Sequence, residues 1–273
     1  MKNFILMAVA GMLALSSCSN DDNEQTPQNT PRQMTFTAGF GDDAQMRASL
    51  DPSTKKVSFD AGDAISILSE NNDNVKFTTT TGSEGGGGAL FTGSAADDAT
   101  YYAIYPYQDG LILALGTTIV GLEIPSNQSA AASSTCGWDP AAPLAYATTT
   151  GTSFTFHNLC ALLKVTNDKA DAVGIFIQDL DDTAGMTGSF NCDISTGTLT
   201  GGNPGVGVQG VPAGETVYIA IAPCTVGNLM AVWYDDDYND RCKTKASVTF
   251  EAGKIYNLGN TNSWTDPVPA PAP

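Results

Sequence analysis

The sequence predicts an all-β protein built as two tandem β-sandwich domains, over residues 34–150 and 151–262. Three observations carry this expectation. Short stretches that alternate apolar and polar residues recur along the chain, as in Met34 to Phe40 and Thr216 to Ala222. Such period-two alternation marks a half-buried strand. Turn residues (Gly, Asn, Asp, Ser) separate these stretches at short, regular intervals. No helical pattern of about 10–15 residues is repeated, which excludes a parallel α/β sheet. Charged residues are only 15% of the chain, while Gly and Thr abound, and that balance also favours strands and turns.

The N-terminus reads as a targeting segment before any fold begins. Lys2 gives a positive start, and Phe4 to Leu15 is an apolar run too short to span a bilayer. The run closes on Leu15-Ser16-Ser17-Cys18, which matches a bacterial lipobox. Residues 1–17 are therefore expected to be a signal peptide, with Cys18 as the lipidated residue. Three acyl tails on one cysteine would make a firm anchor, since each buried CH₂ contributes about 0.8 kcal/mol. Residues 18–33 form the spacer. Its acidic and polar run, Ser19 to Glu24, cannot bury a core and is expected to be disordered. An acidic run just behind a lipidated cysteine also resembles a surface-export signal, so the expected location is the outer face of the outer membrane.

Charge limits the partners. The 273-residue chain carries 12 basic and 29 acidic residues, a net charge of −17. Such a surface repels nucleic acid and anionic membrane. Contact with the outer membrane is thus expected through the lipid anchor alone. Six cysteines are present. With Cys18 lipidated, Cys136, Cys160, Cys192, Cys224 and Cys242 remain. They read as buried thiols with one or two bridges of undefined connectivity. The only histidine is His157, and no Cys/His cluster accompanies it, so neither a metal nor another cofactor is expected.

From Met34 the strands follow in order. Phe59 leads into a tight turn, Asp60-Ala61-Gly62-Asp63, and then the strand Ala64 to Leu68. Gly85 to Gly88 lacks the Lys-Ser/Thr pair and helix of a phosphate cradle, so it reads as a hairpin loop. Tyr101 to Tyr107 is the most aromatic segment. Alternate aromatics on a strand are more often core than a sugar platform. A glycan-binding surface, with Trp138 as a second anchor, stands as the alternative. Phe154 to Val165 reads as one central strand buried on both faces. Met186 to Ile194 and Thr196 to Thr200 read as a hairpin. Asp235, Asp236, Asp237 and Asp240 lack EF-hand spacing and read as a solvated hairpin tip rather than a Ca²⁺ site. Residues 263–273 form a Pro-rich tail. No nucleophile elbow or base beside a nucleophile is present, so no enzymatic activity is expected.

The ordered motifs resemble the fimbrillin family of Bacteroidetes. They are the lipobox, Phe36-Thr37-Ala38, Arg47, Phe59 to Ile65, Ala103-Ile104-Tyr105-Pro106, Pro125 with Gln128, Phe154 to Val165, and Ala252 to Leu258. The resemblance implies transthyretin-like, Greek-key sandwiches and a structural subunit (stalk, tip or anchor) of an adhesive fimbria. It implies palmitate among the lipids on Cys18. It also implies that a trypsin-like protease cuts between Arg47 and Ala48, releasing the first strand, and that a strand from another subunit replaces it. The implied partners are other fimbrial subunits and a host or bacterial surface ligand.

Overall fold

The computed structural model describes residues 30–41, 49–50, 57–82, 88–129, 139–169, 172–235 and 241–263. The strands are β1 (Arg32–Phe40), β2 (Ser49–Leu50), β3 (Val57–Ser58), β4 (Ala64–Ser69), β5 (Asn72–Thr79), β6 (Ala89–Ala95), β7 (Tyr101–Tyr105), β8 (Ile112–Ala114), β9 (Thr118–Ile124), β10 (Asn127–Ser129) and β11 (Ala145–Thr149). They continue as β12 (Ser153–Asn158), β13 (Ala161–Thr166), β14 (Ala172–Asp179), β15 (Thr187–Asp193), β16 (Thr198–Asn203), β17 (Gly205–Gln209), β18 (Thr216–Ile221), β19 (Cys224–Asp235), β20 (Arg241–Phe250) and β21 (Ile255–Asn260). A single 3-10 turn, Thr261–Ser263, follows β21. The all-β expectation holds for the described residues.

The first half differs from the expected sandwich. Its sheet closes into a barrel in the order β1-β12-β11-β7-β4-β5-β6. Closure follows from β1, which has a partner on each side. It runs antiparallel to β6 and parallel to β12. Both of its edges are used, and no open edge remains in this sheet. Residue 150 lies within the barrel, between β11 and β12. The barrel interior is aromatic: Phe36, Phe59, Phe77, Phe91, Phe154 and Phe156 are each at most 1% exposed. Gly93 makes room for one of these rings, because a Cβ there would meet the Phe77 ring at 2.6 Å.

The expected central strand divides in two. β12 carries Phe154 and Phe156 into the barrel, and Leu159 and Cys160 bridge to β13 in the three-stranded sheet β18-β13-β21. Only β13 is buried on both faces. Leu163 and Val165 face a core shared with the five-stranded sheet β10-β17-β14-β19-β20, packing against Ile175, Ile177 and Trp233. Leu162 faces a second core with Leu68 and Ile104 from the outside of the barrel and with Ile119, Leu122 and Phe190. Those last three belong to the four-stranded sheet β16-β15-β9-β8, where the expected hairpin β15-β16 pairs with β9.

Gln128 ties two of these layers, and Asp179 fixes the loop that follows β14. Gln128, 3% exposed, donates from Nε2 to the carbonyls of Ala220 (2.7 Å) and Pro125 (3.1 Å) and accepts from Ala220 N–H at 3.0 Å. Its side-chain amide thus pairs with the open edge of β18 as another strand would. Asp179, fully buried, accepts from the backbone N–H groups of Asp181, Thr183 and Ala184 and from the Thr183 hydroxyl. Burial pushes its carboxyl up, but these donors outweigh it and hold the pKa at about 2. The folded value lies below the unfolded value of about 3.9, so this stabilisation is complete above about pH 4 and lost as pH falls toward 2. Asp179→Asn is expected to cost about 2 kcal/mol at pH 7 and to flatten the acid limb between pH 4 and 2. Urea denaturation at pH 7 and pH 3 checks both.

The four described cysteines, Cys160, Cys192, Cys224 and Cys242, are free thiols, so the expected bridges do not form among them. Burial pushes Cys160 and Cys192 up to about 12 and Cys224 up to about 11, which keeps them protonated and unreactive.

Candidate functional site

The site is β1 and the groove it fills. Its sequence alternates as a half-buried strand should. Met34, Phe36 and Ala38 point inward, while Thr35 and Thr37 are exposed. Against β6 the register pairs Phe36 with Phe91 and Ala38 with Ala89. Against β12 it pairs Ala38 with Phe154 and Phe40 with Phe156. The parallel contact is closed at its ends by Thr37 N–H to the Thr152 carbonyl (2.9 Å) and Gly41 N–H to the Phe156 carbonyl (3.1 Å).

Phe36 is the centre of the contact. Its ring meets Phe77 edge-on at 5.4 Å, Tyr101 edge-on at 5.1 Å and Phe154 at 5.0 Å. Phe40 plugs the far end, 4.1 Å from Phe59 and 5.6 Å from Phe156 between centroids. Phe59 is held there by the Asp60–Asp63 turn. Asp63 N–H bonds the Asp60 carbonyl (3.1 Å), Gly62 takes φ +93°, and the Asp63 carboxylate accepts from Asp60 N–H (2.9 Å) and the Tyr105 hydroxyl (3.1 Å). Only glycine adopts that φ without strain. The motifs Phe59 to Ile65 and Ala103 to Pro106 thus meet at one end of the groove. At the other end, Arg32 reaches Asp97 through Nε (3.0 Å) and Nη2 (2.5 Å). The pair is exposed, and hydrogen bonding to Arg32 lowers the Asp97 carboxyl.

Of the residues singled out in the sequence, Cys18, Arg47 and Ala48 lie outside the described residues, as do Cys136, Trp138, Asp236, Asp237 and Asp240. The aromatic segment is described. Tyr101 and Tyr105 are each 4% exposed and line the barrel core, as the core reading expects. His157 sits on β12 with its ring 5.7 Å from that of Tyr146. The Arg32–Asp97 pair went unread in the sequence, because its two residues lie far apart along the chain and neither belongs to a motif.

No known family model matches the sequence, and no curated protein matches it closely. Solved structures do match. A candidate cell adhesion protein from Bacteroides ovatus superposes with a TM-score of 0.53 at 14% identity, covering 86% of this chain and 95% of that one. Another from Bacteroides uniformis gives 0.51 at 19% identity, covering 83% and 92%. The chain shares their fold. The structural neighbours also include, at a TM-score of 0.36 and 9% identity over 83% and 94% of the two chains, the tip fimbrial protein Mfa3 from Porphyromonas gingivalis.

Proposed function

We propose that this chain is a structural, non-enzymatic subunit (stalk, tip or anchor) of a surface fimbria that supports adhesion. On this reading it is made as a lipoprotein anchored by Cys18 in the outer membrane. Cleavage between Arg47 and Ala48 then frees β1, and a strand from another subunit takes its place. The observation that supports this reading is the placement of β1. It is the first described strand, it alone joins β6 to β12, and it leaves the barrel at Gly41, just before the segment holding Arg47. Its removal would expose two unpaired edges above an aromatic trough, which is the geometry that accepts an added strand. The ordered motifs add to this reading, and so does the fold shared with the two Bacteroides proteins. The two facing sheets of the second half fit the sandwich that the resemblance implies. The glycan-stacking alternative gains nothing here, since Tyr101 and Tyr105 face the barrel core.

Limited trypsin digestion of a soluble chain starting after Cys18, with N-terminal sequencing and native mass spectrometry, tests the reading. The expected result is a new N-terminus at Ala48 and higher oligomers. A cut at Ala48 that leaves only monomer would assign a tip or anchor role. Resistance at Arg47 with a stable monomer would overturn the removable strand.

A further inference from the structure

The two sheets of the second half leave two seams where their edge strands meet. At one seam the Gln128 amide bonds both backbone groups of Ala220 and so closes the edge of β18. At the opposite seam, among the described residues, β20 pairs only with β19 and β21 only with β13. Lys243 Nζ reaches across it to the Leu258 carbonyl at 2.8 Å, and at its end Glu251 N–H bonds the Tyr256 hydroxyl at 2.9 Å. A cleft of about 220 Å³ opens there, floored by Leu229, Val248, Phe250, Tyr256 and Leu258 and flanked by Lys243 and Lys245. This is below the usual size of a small-molecule pocket, about 300–1,000 Å³, and suits an extended chain along an edge.

The next segment of this chain has the matching pattern. The turn after β21 is fixed: Thr261 Oγ1 accepts from Asp168 N–H (3.0 Å), and Ser263 Oγ bonds the Asn260 carbonyl (2.6 Å). Trp264 follows directly on this turn in the sequence. Beyond it, proline recurs at every second position: Pro267, Pro269, Pro271 and Pro273. Each proline confines the residue before it to extended conformations. Along an extended strand, successive backbone N–H groups point to opposite sides. In an extended strand all four prolines would fall on one side and the N–H groups of Asp266, Val268 and Ala270 on the other. A strand with donors on one side alone is suited to an edge, pairing inward and offering no donor outward. Asp266 would also supply a negative charge for the two lysines.

We propose that Trp264 to Pro273 lies antiparallel to β21 along its open edge, with the Val268 and Ala270 N–H groups toward β21, and that it covers this seam. The proposal does not depend on the fimbrial reading. Hydrogen exchange of the 255–260 amides, followed by mass spectrometry, tests it on the whole chain and on one ending at Ser263. Truncation is expected to speed exchange in β21 by about fivefold or more, the equivalent of one lost hydrogen bond. Val268→Pro, which removes an inward donor, should do the same, whereas Pro269→Ala should leave exchange unchanged. Equal rates with and without the tail would overturn the proposal. So would full protection in Val268→Pro, or protection that grows with protein concentration alongside a dimer mass, which would assign the seam to a second copy.

Discussion

A chain that begins at Ala48 will lose the cooperative unfolding of its barrel and bind a hydrophobic dye that the longer chain does not. The reason is the amount of the barrel that β1 supplies. Met34, Phe36 and Ala38 are buried in its core, and β1 pairs with β6 over seven positions, Arg32 to Ala38, and with β12 over four, Thr37 to Phe40. A fully buried large apolar side chain contributes about 1.5–3 kcal/mol and each ladder hydrogen bond about 1 kcal/mol. Their loss together is comparable to the whole net stability of a domain, about 5–15 kcal/mol. The six remaining strands would form an open sheet with β6 and β12 as bare edges. Thermal melts and dye fluorescence on the two chains check the expectation. An unchanged melting profile without dye binding would show that the barrel does not need β1.

Within β1 the largest single effect is expected at Phe36. Phe36→Ala removes a fully buried ring that touches three others. The expected loss is about 3–5 kcal/mol in urea denaturation. Thr35→Ala, one residue away on the exposed face, is expected to change stability by less than about 0.5 kcal/mol. The contrast between adjacent positions tests the inward register of β1 and not merely its presence.

Local features of this fold were legible in the sequence. The alternation from Met34 to Phe40 places Phe36 on the buried face, and the Asp60–Asp63 turn follows from Gly62 and its flanking carboxylates. The nearly continuous apolar run Ala161 to Val165, interrupted by Lys164, marks the strand with cores on both sides. Barrel closure was not legible. It depends on the parallel contact of β1 with β12, between segments far apart in sequence, and a parallel pair has no turn to announce it. For the same reason the run Phe154 to Val165 looked continuous. Its break at Leu159 and Cys160 lies between two different cores that both take apolar residues, so Phe154, Phe156, Leu159 and Leu162 read as one run. Gln128 acts on the backbone of Ala220, brought close only by the fold, and a polar residue alone carries no sign of which distant backbone it will meet. Asp179 is different: its donors lie two to five residues further on, a local loop signal that went unread.

The central claim is that the place of β1 can be vacated and refilled by a strand. The most direct measurement is a titration of the chain beginning at Ala48 with a peptide of the β1 sequence, Arg32 to Phe40, followed by native mass spectrometry and thermal melting. The account predicts a one-to-one complex that regains a cooperative melt and loses dye binding, and no such recovery from a peptide carrying Phe36→Asp. A chain that ignores both peptides, or responds equally to both, would contradict it.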